Sequence, residues 1–176
     1  MNLAQRFLDR SRHFLTYEYP TKIQHCLDVL PAGALWSRAN ESSNSIGNLL
    51  LHLSGNVRQW IVSGVGGAPD QRRRSAEFGA TDGADAAALM AALRATLRET
   101  DAVLAALPHH VLAEQRVIQG REVLVFDAIY HVVEHFSMHT GQIILLTKTA
   151  AVGSIQFYED AGGKAVPTWG RESDAR

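Results

Sequence analysis

The sequence predicts an all-α protein, a four-helix bundle with a long crossover between helices 2 and 3 and a short hairpin before helix 4. Three observations point there. Apolar residues recur at helical spacing in four separate segments. The stretch from Gly66 to Gly83 is irregular and long enough to cross the bundle, which lets the second and third helices run parallel. Around Gln119-Gly120 the residues Arg116 to Val125 alternate, as a small hairpin or extended loop does.

Taken in order, the first segment places Leu3, Phe7, Phe14, Ile23, Leu27 and Leu30 at helical spacing. Pro20 removes one backbone donor and is expected to bend this helix rather than end it, and Pro31 closes it. The second helix starts at the Ser42-Ser43-Asn44-Ser45 cluster, which offers several N-caps. It runs through Ile46, Leu49, Leu50, Leu53, Val57, Trp60 and Ile61 until Gly64 and Gly66 break it. The third is expected to start near Thr81 or Asp82, to follow Leu89, Leu93, Leu97 and Leu104, and to stop before Pro108. The fourth carries Ile129, Val132, Val133, Phe136 and Ile143 on one face. Beyond Thr149 the tail holds Phe157, Tyr158 and Trp169, aromatics costly to leave in water, and ends in polar residues.

Bulk composition bounds the function. A chain of 176 residues with 46% hydrophobic content reads as one domain, 1–176, with a core over 3–150 and a tail over 151–176. Lys plus Arg number 17 against 18 Asp plus Glu, for a formal charge of -1, and no basic stripe is evident. This balance argues against nucleic acid and against an anionic membrane surface. The apolar runs are too short to span a bilayer. No apolar signal core stands near the first residues, and the single cysteine, Cys26, excludes an internal disulfide, so a cytoplasmic location is expected.

The most informative feature is a set of histidines. His131, His135 and His139 follow one another at four-residue intervals on the fourth helix, and His52 stands alone on the second. Residues four apart on a helix lie one above the other, so two imidazoles there can share a cation with a third from a neighbouring helix. On a wheel measured from Ile129, His131 falls at roughly 200°, His135 at roughly 240° and His139 at roughly 280°. His135 and His139 therefore flank the buried face, and His52 lies about 100° from the centre of its own apolar stripe. All three can face one groove between helices, while His131 is left to solvent or to a supporting position. Two outcomes stand on spacing alone, a shared metal with one open position or a hydrogen-bonded histidine cluster without one.

Two other metal motifs are weaker. His131-Val-Val-Glu134-His135 matches H-x-x-E-H, but such a peptidase needs a further acidic ligand well downstream, and only 41 residues follow His135. A ferritin-like di-iron site needs paired Glu-x-x-His motifs on facing helices, and helices 2 to 4 carry no such pairs.

Two blocks carry a resemblance. Asn44 to Trp60, with His52 and Asn56, and His131 to Gln142, continuing Ile-Ile-Leu-Leu, resemble the signature blocks of the DinB/YfiT-like superfamily. They are most similar to its uncharacterised DinB-like branch, whose first block continues through Arg72-Arg73-Arg74-Ser-Ala-Glu77-Phe78. The resemblance implies a four-helix bundle with a long crossover, commonly a homodimer, and a divalent metal, zinc or nickel, on His52, His135 and His139. It also implies an enzyme acting on a small molecule, of the thiol-dependent S-transferase or isomerase type, with a low-molecular-weight thiol as second cofactor. A metal-dependent hydrolase and a non-enzymatic metal-binding or stress-related protein are the alternatives. Asn56, His131 and Gln142 are the candidates for orienting a ligand or bound water. Glu134 lies on another face, Gly141 is expected to permit close helix contact, and Arg72 to Arg74 either grip an anion or form a solvated loop. Cys26 reads as a small buried apolar residue, and His13, His25, His109 and His110 have no evident partner.

Overall fold

The computed structural model describes residues 2–169. Asn2 caps α1 (Leu3–His13) through its side chain, and the helix passes without interruption through a π-helical segment, Phe14–Glu18, into α2 (Tyr19–Asp28). Pro20 sits in the first turn after that segment, where the wider winding absorbs its missing donor, so the helix continues as expected. Ser45 begins α3 (Ile46–Val57) with a capping box: its hydroxyl accepts from the Asn48 amide, and the Asn48 side chain reaches back to the Ser45 N–H. A second π-helical segment, Arg58–Val65, extends α3. The crossover follows and contains a short helix, α4 (Arg74–Gly79), that the spacing did not reveal.

The next long helix, α5 (Ala86–Ala105), starts later than Thr81 or Asp82, because Asp85 supplies the cap to Ala88 and Gly83 is left-handed at φ 140°. Strands β1 (Gln115–Ile118) and β2 (Arg121–Leu124) pair antiparallel around Gln119-Gly120, both at positive φ, the conformation of a tight primed turn. Directly after them runs α6 (Val125–Ala150). A second small hairpin, β3 (Tyr158–Asp160) with β4 (Ala165–Pro167), occupies the tail. There Phe157 is buried and Lys22 lies over the Trp169 ring, whereas Tyr158 is exposed. The polar end expected after Trp169 lies outside the described residues.

Contacts along the helices give their directions. Ser54 meets Thr96, Arg58 meets Glu99 and Val103 packs on Gly66, so α3 and α5 run parallel, as the long crossover allows. Phe7 stacks on Phe126 and Tyr19 on Phe136, so the first and last helices are also parallel. His52 faces His135 and Trp60 faces His131, which makes α3 and α6 antiparallel. The core between them holds Leu15, Ile23, Leu49, Leu53, Val57, Leu93, Ile129, Phe136 and Ile143. Leu3 is not part of it: at 83% exposure it faces water, and Leu8 and Leu15 carry the buried stripe of the first helix. No described helix is long and apolar enough to cross a membrane.

Candidate metal centre

His52 stands mid-way along α3, on a turn bordered by Leu49 and Leu53, and His135 and His139 stand on the facing turns of α6, beside Phe136. Antiparallel packing of these two helices therefore brings together residues that lie 83 apart in sequence. His52 Nε2 lies 3.1 Å from His135 Nε2, which lies 3.2 Å from His139 Nε2. Three nitrogens around one tetrahedral cation at about 2.0–2.1 Å would stand roughly 3.3 Å from one another. Two of the three pairs match that spacing, and ligand atoms of all three residues lie within 4.8 Å of one another. His52 and His139 are buried and His135 is half-buried.

The outer nitrogens are held differently. His139 Nδ1 donates to Gln142 Oε1 at 2.7 Å, which turns its Nε2 lone pair inward. His135 Nδ1 is buried and has no hydrogen-bond partner among the described residues. His52 Nδ1 lies 2.9 Å from Glu77 Oε2 and 3.0 Å from Arg72 Nη2. Of the two readings left open for the arginine run, Arg72 takes the first, since it grips the Glu77 carboxylate; Glu77 itself was not expected at the site. The Arg72 side chain is only 4% exposed, so it is no solvated loop residue, while Arg73 and Arg74 do face solvent. Room for the Arg72 and Glu77 side chains comes from Gly55, where an added Cβ would overlap Glu77 Oε1. A glycine in the middle of an apolar helix was the one local signal of that approach.

Of the other residues singled out, His131 does not join the three. Its ring packs on Trp60 at 4.4 Å and stands 5.4 Å from His135. Asn56 is buried one turn beyond His52, and its Oδ1 has no hydrogen-bond partner among the described residues. Glu134 is exposed, and Gly141 is exposed with open space around it, so it makes no close helix contact. The remaining histidines do have neighbours, since His109 bridges Asn2 and Gln5, and His25 stands against Phe157. Cys26 is buried, and burial pushes its thiol up to about 11, which leaves it inert at neutral pH.

Burial, followed by the neighbouring His139, His52 and His131, lowers His135 to about 3, and burial lowers His139 and His131 as well. Burial alone would raise Glu77, but bonds from Arg72 and His52 outweigh it and hold the carboxylate below its ordinary value. The His135 and His139 imidazoles are therefore neutral at neutral pH. An unfolded His135 takes up a proton below about 6.5, and the folded one only near 3. Between those values the unfolded chain binds more protons, so the metal-free protein is expected to lose stability as pH falls through that window. Melting temperatures of chelator-treated protein at stepped pH check this, and a flat profile would contradict it.

A profile of the family described as Protein of unknown function (DUF1572) matches residues 2–157. No curated protein matches the chain. Among solved structures, a DinB-like protein from Bacillus cereus aligns with a TM-score of 0.63 at 20% identity, over 82% of this chain and 95% of that one. A DinB-like protein from Bacillus subtilis aligns with a TM-score of 0.62 at 18% identity, over 88% of this chain and 98% of that one. At these identities the likeness is one of fold. The chain belongs to the DUF1572 family and has the helical-bundle fold of DinB-like proteins.

Proposed function

We propose that His52, His135 and His139 hold a divalent cation, zinc or nickel, and that the protein is a metal-dependent enzyme acting on a small molecule by thiol-dependent transfer. The observation that carries this reading is the convergence of three imidazoles, with His52 and His139 Nε2 at 3.1 and 3.2 Å from His135 Nε2 and donor atoms of all three within 4.8 Å, among the described residues. Three histidines with one position left open is the composition of catalytic rather than structural zinc sites. A cation there would supply Lewis acidity, lowering the pKa of a thiol or water so that a nucleophile is available near neutral pH.

The chain's own groups have separable tasks. Gln142 fixes the tautomer and orientation of His139. Asn56 Oδ1, buried and unpartnered, offers an acceptor to a donor on the bound substrate. His131 packs against Trp60, with its ring centre 5.4 Å from that of His135. Cys26 takes no part in the chemistry, so the thiol must arrive as a cofactor or substrate.

Cobalt substitution tests the reading. Protein loaded with Co²⁺ is expected to show a new sulfur-to-metal charge-transfer band with low-molecular-weight thiols, absent from His135→Ala, and turnover of electrophiles should need both thiol and metal. Loading without any thiol response would favour hydrolysis or a non-enzymatic metal-binding role.

A homodimer is part of the same proposal. Opposite its buried face, α6 exposes Phe126, Tyr130, Met138 and Leu145 along one side, with Gly141 leaving open space among them. Large apolar side chains gathered on one side of a bundle helix, here interrupted by the exposed Glu134, favour burial against a partner. Sedimentation at micromolar concentration is expected to give twice the 19.3 kDa chain mass, and a monomer would refute the dimer.

A further inference from the structure

The crossover is fastened to α3 and to the segment before it at several points. Asn48 Nδ2 donates to the carbonyls of Glu77 and Ala80, both at 2.8 Å, and Arg38 Nη2 donates to those of Phe78 and Ala80. The Phe78 ring stands 4.5 Å from that of His52. Arg72 then grips Glu77 through two parallel bonds, Nε to Oε1 and Nη2 to Oε2, each 2.8 Å, and donates Nη1 to Gln59 Oε1 at 2.9 Å.

His52 Nδ1 consequently faces two neighbours with opposite demands. Glu77 Oε2 at 2.9 Å can only accept from it, and Arg72 Nη2 at 3.0 Å can only donate. With the proton on Nδ1, that hydrogen ends on a carboxylate oxygen, and three Arg72 hydrogens remain on Glu77 and Gln59. Without it, a nitrogen lone pair would face a buried carboxylate, a repulsion that is costly in so enclosed a place. The Nδ1–H tautomer leaves a lone pair on Nε2, aimed at His135 Nε2.

We infer that Glu77, braced by Arg72, is a positioning residue that fixes the tautomer and ring orientation of His52, so that the crossover as well as the two facing helices shapes the three-histidine site. The inference rests on the cation reading only for its effect on metal affinity. A carboxylate behind a ligating imidazole raises the basicity of the inner nitrogen, and loss of such a partner typically weakens metal binding by roughly 10–100-fold.

Two measurements test it. Nitrogen-15 NMR of the metal-free protein reads the tautomer directly. His52 is expected as Nδ1–H in the wild type and as mixed or Nε2–H in Glu77→Ala. Zinc affinity, measured by competition with a chromophoric chelator, is expected to fall roughly 10–100-fold in Glu77→Ala and in Glu77→Gln, whose amide nitrogen confronts the Arg72 donors. Glu99→Gln, which removes an exposed ion pair with Arg58, should change neither readout. If Glu77→Ala does not fold, the Glu77→Gln arm decides by the same two readouts. His52 found as Nε2–H in the wild type, or an unchanged tautomer and affinity in the Glu77 variants, overturns the inference. A wild type that binds no zinc overturns the cation reading instead, and the tautomer measurement alone then decides the role of Glu77.

Discussion

Alanine at His52, His135 or His139 is expected to take the bound divalent metal of the purified protein from stoichiometric to background, while His131→Ala retains it. The expectation follows from which nitrogens converge. The Nε2 atoms of His52 and His139 stand 3.1 and 3.2 Å from that of His135, whereas the His131 ring centre is 5.4 Å from that of His135 and lies against Trp60. Losing one of three imidazole donors leaves two, too few to outcompete water for a borderline cation. Elemental analysis of untagged protein decides the matter. Metal lost in His131→Ala but kept in His139→Ala would instead restore the H-x-x-E-H pairing of His131 with His135.

A second large effect is expected at Phe136. Fully buried, next in sequence to His135 and stacked on Tyr19 at 5.5 Å, it ties α6 to the first helix. Phe136→Ala removes that aromatic contact and opens a cavity, at a cost of about 3–5 kcal/mol. For a chain of this size that corresponds to a melting temperature lower by on the order of 10 °C. Leu3→Ala, at a site 83% exposed, should stay within about 0.5 kcal/mol of wild type. A Phe136→Ala variant as stable as Leu3→Ala in chemical denaturation would show that α6 is not anchored through this ring.

What could be read from the sequence was whatever depends on local periodicity. Leu89, Leu93, Leu97 and Leu104 mark the buried face of α5, and Ser45 marks the start of α3, because helical spacing and capping need only residues a turn apart. The pairing of His52 with His135 and His139 was legible for the same reason: each lies at the edge of an apolar stripe, and stripes face one another. Asp82 and Asp85 are chemically equal caps, and only the left-handed Gly83 between them decides for Asp85. Arg72 and Glu77 were the opposite case. Nothing local distinguishes Arg72 from Arg73 and Arg74, and its burial arises from the gap left at Gly55 on a different helix. Leu3 shows the reverse error, an apolar residue at helical spacing that ends up beyond the edge of the bundle.

The seam between α3 and α6 also bears on time. With 83 residues separating His52 from His135, the donors meet only after most of the chain has been threaded through the crossover and both bundle halves have docked. Closure of so long a loop precedes any reward from the contacts it brings, so the seam belongs to the late steps of assembly. Interactions absent from the folding transition state leave the refolding rate alone and slow the reverse reaction. Occupancy of the seam should therefore lengthen the lifetime of the native chain, as read from unfolding rates in denaturant, while refolding proceeds at the pace of the empty bundle.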